Sequence, residues 1–157
     1  MKRSFIVFML LLTLSALASA QTGLNINQIF GGKYASDPKV TETLISGKHR
    51  FLRENDLTMF ATFKGPAATY ASIVEPMVIA DGAKAVGKNV RYKDGKLYFA
   101  FFILQPVTKD GNKGNRYLYY LNNAARKGNN VLVVYLEGKI SQDEANSIIK
   151  SMAKNVK

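Results

Sequence analysis

"KLYFAFFILQP", residues 96–106, holds eight apolar residues in succession, Leu97 to Leu104, four of them aromatic. A strand with one wet face alternates apolar and polar residues, and this one does not. In an extended chain Leu97, Phe99, Phe101 and Ile103 point one way and Tyr98, Ala100, Phe102 and Leu104 the other. "VLVVYL", residues 131–136, has the same property: Val131, Val133 and Tyr135 oppose Leu132, Val134 and Leu136. Strands apolar on both sides belong in the centre of a sheet covered front and back. Three things can supply the second cover: the chain itself, another protein, or an apolar ligand.

Around this ribbon the second half of the chain reads as a β-meander. "NVRYK" runs into Asp94-Gly95, a two-residue hairpin signal because both residues tolerate positive φ. "KLYFAFFIL" follows, then "QPVTKDGNKGN" as a longer loop, the strand "RYLYYLNN", the connection "AARKGNN" and the strand "VLVVYLEG". Upstream, "VTETLISGKHRFL" and "LTMFATFKG" are rich in β-branched and aromatic residues and read as a hairpin. Between hairpin and meander, Tyr70, Ile73, Val74 and Met77 keep the spacing of a buried helix face over residues 66–82, with Pro66 suited to the first helical position. Pro76 either kinks that helix or divides it, the alternative being an extended piece before Pro76 and a helix that starts at it. Asn25 opens a short helix that Gly31-Gly32 ends. In the last segment Ser141 and Glu144 have capping-box spacing, and Ala145, Ile148, Ile149 and Met152 form one stripe. The expected fold is one α+β domain with an antiparallel sheet of about five or six strands and helices mainly on one face.

The chain begins "MKRSFIVFMLLLTLSALASAQTG". Lys2 and Arg3, an apolar run from Phe5 to Ala18, and Ala18-Ser19-Ala20 make the pattern of a cleavable secretory signal peptide. The run is shorter than the roughly 20 residues of a spanning helix, and no Cys follows it to carry a lipid. The expected division is a signal peptide over residues 1–20 and a single domain over 21–157, with no membrane span after cleavage. The expected location is periplasmic or secreted. A Cys-free exported chain points to a bacterial envelope, because small exported eukaryotic domains lean on disulfides. It also excludes thiol catalysis and Cys-based zinc sites.

The 22 basic and 11 acidic residues give a net charge of +11, which loss of Lys2 and Arg3 lowers by two. An exported protein rarely meets nucleic acid, so the expected counterpart is an envelope protein or an anionic glycan. In an up-and-down meander the Asp94-Gly95 turn and the 122–130 connection fall at the same end. That end gathers Lys93, Lys96, Arg126 and Lys127 into a cationic rim, and the other end gathers Lys109, Lys113 and Arg116. Tyr98, Phe102, Tyr117, Tyr119 and Tyr120 are the aromatic residues a partner would meet if the second face were open. The bland readings are a solvated basic surface and tyrosines serving as ordinary strand formers.

Catalytic signatures are missing from the sequence. His49 stands alone beside Lys48 and Arg50, without a second His or Cys for a metal site. "DGNKGN", residues 110–115, has too few acidic ligands for a calcium loop. A carboxylate pair drawn from Glu42, Glu54, Asp56 or Glu75 would make the chain an envelope hydrolase, but nothing selects a pair. No cofactor is expected. The leading expectation is a non-catalytic envelope protein that binds a macromolecule or glycan.

Several segments together carry a resemblance: the leader, "INQIFGGKYASDPKVTETLISG", "DGAKAVGKNVRYKDGKLYFAFFILQP", "NRYLYYLNN" and "VLVVYLEGKISQDEANSIIK". They resemble small exported proteins of unknown function common in Bacteroidetes. The resemblance implies a periplasmic or secreted α+β domain and brings no catalytic residues with it.

Overall fold

A computed structural model describes residues 23–124 and 128–154. The expected leader, residues 1–20, and two of the candidate cations, Arg126 and Lys127, lie outside the described residues. In chain order the elements are a 3-10 helix (Asn25–Ile29), β1 (Thr41–Ser46), α1 (Arg50–Glu54), β2 (Leu57–Pro66), α2 (Ala67–Gly82), β3 (Gly87–Lys93), β4 (Lys96–Lys109), β5 (Asn112–Asn122), β6 (Asn130–Gly138) and α3 (Gln142–Lys154). The strands form one six-stranded sheet in the order β1-β2-β6-β5-β4-β3, every neighbouring pair antiparallel. The meander is there, and β6 closes it by pairing with β2 from Leu57↔Gly138 to Pro66↔Asn130. That return puts β6 at the centre, where every residue from Val131 to Gly138 is buried.

The fold class is the expected one, but the helices divide between the two faces instead of gathering mainly on one. Tyr70, Val74 and Val78 of α2, with Ile26 and Ile29 of the 3-10 helix, pack on Phe63, Phe102, Leu118, Tyr120, Val133 and Tyr135. Leu52 of α1 and Ala145 and Ile149 of α3 pack with Phe60, Phe101, Tyr117, Tyr119, Leu132 and Val134 on the opposite face. The cause is the parity of β6 and β5. Their alternate residues are equally apolar, so each face needs its own helix, and each fully buried Leu, Val or Phe adds about 1.5–3 kcal/mol. The second cover of the central ribbon is therefore the chain itself. Cover is thinner toward β3 and β4, because α3 packs mainly on β5 and β6. Phe99 and Ile103 stay half-buried there, with the Arg91 guanidinium 5.6 Å from the Phe99 ring centre.

Turns and bulges set the register. Asp94-Gly95 (φ 51° and 73°) joins β3 to β4 as the sequence implies. The expected loop "QPVTKDGNKGN" is instead the continuation of the hairpin to a second Asp-Gly turn, Asp110-Gly111 (φ 51° and 75°). Two irregularities bend β4. Tyr98 is the extra residue between the pairs Tyr92↔Leu97 and Arg91↔Phe99, and this bulge turns Leu97 onto the face of Ala100, Phe102 and Leu104. The second lies between Leu104↔Arg116 and Val107↔Gly114, where Pro106, which has no N–H for the ladder, is tolerated.

α2 is continuous through Pro76 rather than divided by it, and Pro66 stands just before the helix in extended geometry, φ −54° and ψ 127°. The capping box at the start of α3 is formed: Glu144 Oε2 accepts the Ser141 backbone N–H at 2.9 Å and its hydroxyl at 2.6 Å. The 3-10 helix is held differently from the expected Asn25 cap. Asp81, at the end of α2, accepts the backbone N–H groups of Asn25 and Ile26 at 2.6 and 2.9 Å. Among the described residues no helix is long and apolar enough to cross a membrane.

Candidate functional site

The candidate aromatic residues part company in the structure. Phe102, Tyr117, Tyr119 and Tyr120 are core residues, at most 6 % exposed. The expected aromatic surface at these four positions is corrected by the helices that cover both faces. The Phe102 ring fills the space left by the missing side chain of Gly82. Tyr117 donates its hydroxyl to the Ile140 carbonyl at 3.2 Å. Burial pushes the Tyr119 hydroxyl up to about 12 and raises that of Tyr120 as well. Tyr98, carried outward by its bulge, is half-buried.

Lys93 and Lys96 are exposed, and the expected neighbourhood is real at this end of the meander. A shallow pocket of about 220 Å³ is lined by Lys93, Asp94, Lys96, Leu97 and Tyr98 together with Asn122 and Ala124 of the β5–β6 connection. Of the nine candidate residues, this brings Lys93, Lys96 and Tyr98 together. Exposed lysines on an edge strand and its turn also block pairing with a further strand, so these cations have a structural use as well.

Of the acidic candidates, Glu54 and Asp56 line one open pocket of about 340 Å³ with Asp143 and Glu144, and Glu42 and Glu75 stand elsewhere on backbone donors. Glu42 accepts the N–H of Gly31 at 2.7 Å, satisfying a backbone group after the 3-10 helix. Glu54 pairs with Arg50 at 2.6 Å. Glu75 accepts the Leu97 N–H at 2.9 Å. Asp56 sits at φ 54° in the turn into β2, and its carbonyl accepts the Lys139 N–H at 2.8 Å. His49 caps α1, its Nδ1 accepting the Phe51 N–H at 3.2 Å. No group of three or more His, Cys, Asp or Glu side chains able to hold a metal ion occurs among the described residues.

A larger pocket, about 480 Å³, lies at the other end of the sheet. The tip of the β4–β5 hairpin supplies Val107, Lys109, Asp110, Asn112, Lys113 and Gly114. The end of β1 supplies Ser46 and Gly47, and Thr58, Glu137, Gly138 and Lys139 complete the wall. Hairpin tip and β1 are separated by other strands in the sheet order, and they come together here beyond the Pro106 bulge. Glu137 is only 6 % exposed. Its Oε2 accepts the Tyr135 hydroxyl at 2.6 Å and its Oε1 the Thr58 hydroxyl at 3.3 Å. Burial first, and then the bond to Glu137, raise the Tyr135 hydroxyl above its ordinary value. Among the described residues no Lys, Arg or His forms an ion pair with Glu137, but Arg116, opposite it in the β5–β6 ladder, acts on the Tyr135 hydroxyl in the opposite sense.

Most of the chain, residues 13–149, matches one family, described as a family of unknown function (DUF6108). The chain belongs to DUF6108. No curated protein and no solved structure matches it. The DUF6108 match runs from ahead of the 3-10 helix into α3, so the whole sheet and both pockets lie within it. Sequence reasoning about this DUF6108 chain passed over Glu137. Its only signal is position, a lone carboxylate two residues after Tyr135 and on the same face of a strand otherwise apolar from Val131 to Leu136.

Proposed function

We propose that the protein is an exported, non-catalytic binding module of the bacterial envelope whose partner is an anionic glycan. The observation that carries this reading is the convergence of Lys93, Lys96 and half-buried Tyr98 with Asn122 on one pocket at the end of the meander. Ammonium groups supply attraction to carboxylate, sulfate or phosphate groups along a sugar chain. A tyrosine with an apolar ring and a polar tip suits the ring face and hydroxyls of a sugar. The surplus of basic residues in the whole chain favours encounter with such a polymer. Arg126 and Lys127, close in sequence to Asn122, belong to the same reading. Export rests on the leader pattern of residues 1–20.

The test is retention on immobilised acidic polysaccharide against a neutral polysaccharide of similar size. Charge reversal at Lys93, Lys96, Arg126 and Lys127 together should abolish the difference and leave the circular-dichroism spectrum unchanged. Equal retention by the reversed variant sinks the reading. Signal cleavage is checked by the mature N-terminus, which should be Gln21.

A second reading, an envelope hydrolase, gains support from one observation: Asp110 and Glu137 line the same pocket, and Glu137 is oriented by the Tyr135 hydroxyl at 2.6 Å. A glycosidase needs two carboxyl groups across its bond. Shortening of an acidic polysaccharide that Glu137→Gln abolishes would establish it. Unchanged chain length on prolonged incubation removes it.

A further inference from the structure

We infer that the pocket beneath the β4–β5 hairpin tip is a separate small-ligand site, built for the acidic end of a sugar, with Glu137 as its anchor. The inference is independent of the glycan-binding reading above, which concerns the opposite end of the sheet. Carboxylates are almost never this buried without a cation, because desolvation opposes the charge. Glu137 accepts the Tyr135 hydroxyl and shares the Thr58 hydroxyl with its own backbone carbonyl, and no ion pair reaches it among the described residues, although Arg116 stands opposite it in the ladder beside the Tyr135 hydroxyl. A carboxylate offers about four acceptor positions, so about two are left for a donor entering from the pocket. Sugar hydroxyls are such donors.

The rim has the opposite requirement. Lys109, Lys113 and Lys139 surround the mouth and are exposed, against the single carboxylate of Asp110. Counting Glu137, the lining carries three cations and two anions, and Arg116 stands across the ladder from Glu137. The site is therefore net positive and favours an anionic ligand, whereas an amine would meet three ammonium groups before reaching Glu137. Hydroxyl donors at one end and a carboxylate at the other describe a hexuronic acid. The volume lies within the range of about 300–1,000 Å³ common for small-molecule sites. Gly114 keeps the floor open. A Cβ there would meet Val107 Cγ2 at 3.5 Å and Glu137 Cγ and the Val107 carbonyl oxygen at 3.8 Å, all ordinary contacts, so a longer side chain would extend into the pocket without displacing the backbone.

The test is an NMR titration of the purified protein with D-glucuronate, D-glucose and D-glucosamine as probes. Glucuronate should give saturable shifts at the hairpin tip and at Gly138, with glucose at least about tenfold weaker and glucosamine weaker still. Glu137→Gln and Lys113→Glu should each weaken glucuronate by about tenfold or more. Gly114→Leu, which leaves Glu137 in place, should abolish binding. Charge reversal at Lys93 and Lys96 should change nothing, which separates failure here from failure of the polysaccharide reading. Absence of saturable binding, preference for glucosamine, or unchanged affinity in Gly114→Leu each overturns the inference.

Discussion

The carboxylate of Asp81 holds the backbone of Asn25, 56 residues earlier in the chain, by a 2.6 Å hydrogen bond to its N–H and a 2.8 Å bond to its side-chain amide. An acidic residue in the last turn of a helix opposes the helix dipole. Its presence at the end of α2 is explained by what it caps, the N–H groups of Asn25 and Ile26, which open a 3-10 helix that buries Ile26 and Ile29 on the first face.

Asp81→Ala should therefore cost about 2–3 kcal/mol, since hydrogen bonds to a charged acceptor contribute about 1.5–3 kcal/mol and the freed donors are partly buried. Chemical denaturation measures it. Asp81→Asn, which keeps one acceptor, should fall between the variant and the wild type. A loss under half a kilocalorie in Asp81→Ala would show that the 3-10 helix docks by apolar contact alone.

Gly82 and Phe102 meet without spare room. A Cβ on Gly82 would fall closer to the Phe102 ring carbons than real carbon–carbon contacts allow. Gly82→Ala should destabilise by about 1–3 kcal/mol, the usual range for overpacking. The smaller side chain in Phe102→Leu should make the second substitution cheaper, so the double variant should be more stable than the sum of the two losses implies. Additive losses would place the strain elsewhere.

How much of this was legible in the sequence depends on the range of the interaction. The Asp94-Gly95 turn, the Ser141–Glu144 box and the central position of residues 131–136 are local or periodic signals, and all are realised; residues 97–104 lie one strand in from the edge, with Phe99 and Ile103 half-buried. Asp110-Gly111 carried the same signal as Asp94-Gly95, but the polar run around it reads as loop, and only pairing across to Lys113 and Asn112 reveals strand. The side occupied by Leu97 depends on a bulge opposite Arg91, which no periodicity reports. Pro76 reads as a helix break because its effect on the ladder is local, whereas the packing of Tyr70, Val74 and Val78 that holds α2 together is not. The burial of Tyr120 and the pocket around Glu137 both follow from the return of β6 to β2, the longest-range pairing in the sheet.

The cap of α3 gives an acid-sensitive contact. Hydrogen bonds from the Ser141 hydroxyl and backbone hold the Glu144 carboxyl below the usual carboxylate range. A depressed carboxyl contributes its stability above the unfolded value, 4.5 here, and loses it as pH falls through the folded one. Ser141→Ala should cost about 1 kcal/mol at neutral pH, as loss of a helix N-cap does. It should cost less in acid, where Glu144 is protonated in both states. Equal losses at both pH values would mean that the box is not formed in solution.

Tyr70 offers a single substitution that should flatten both ends of the stability profile. Its hydroxyl donates to Asp37 Oδ2 at 2.6 Å. That bond is the leading cause that lowers the Asp37 carboxyl, and the leading cause that pushes the Tyr70 hydroxyl from 10.0 up to about 12. The lowered carboxyl makes the native state lose stability as pH falls below about 4. The raised phenol works in the opposite sense: its contribution is intact below pH 10 and is lost as pH rises through about 12. Tyr70→Phe should lower stability at neutral pH and show a smaller fall than wild type in both acid and alkali. Tyr119, raised by burial to about 12, has no carboxylate as its leading cause, so Tyr119→Phe should flatten the alkaline arm alone. Denaturant midpoints across the pH range measure both. An alkaline arm unchanged by either substitution would show that other tyrosines, Tyr120 and Tyr135 first among them, govern unfolding in base.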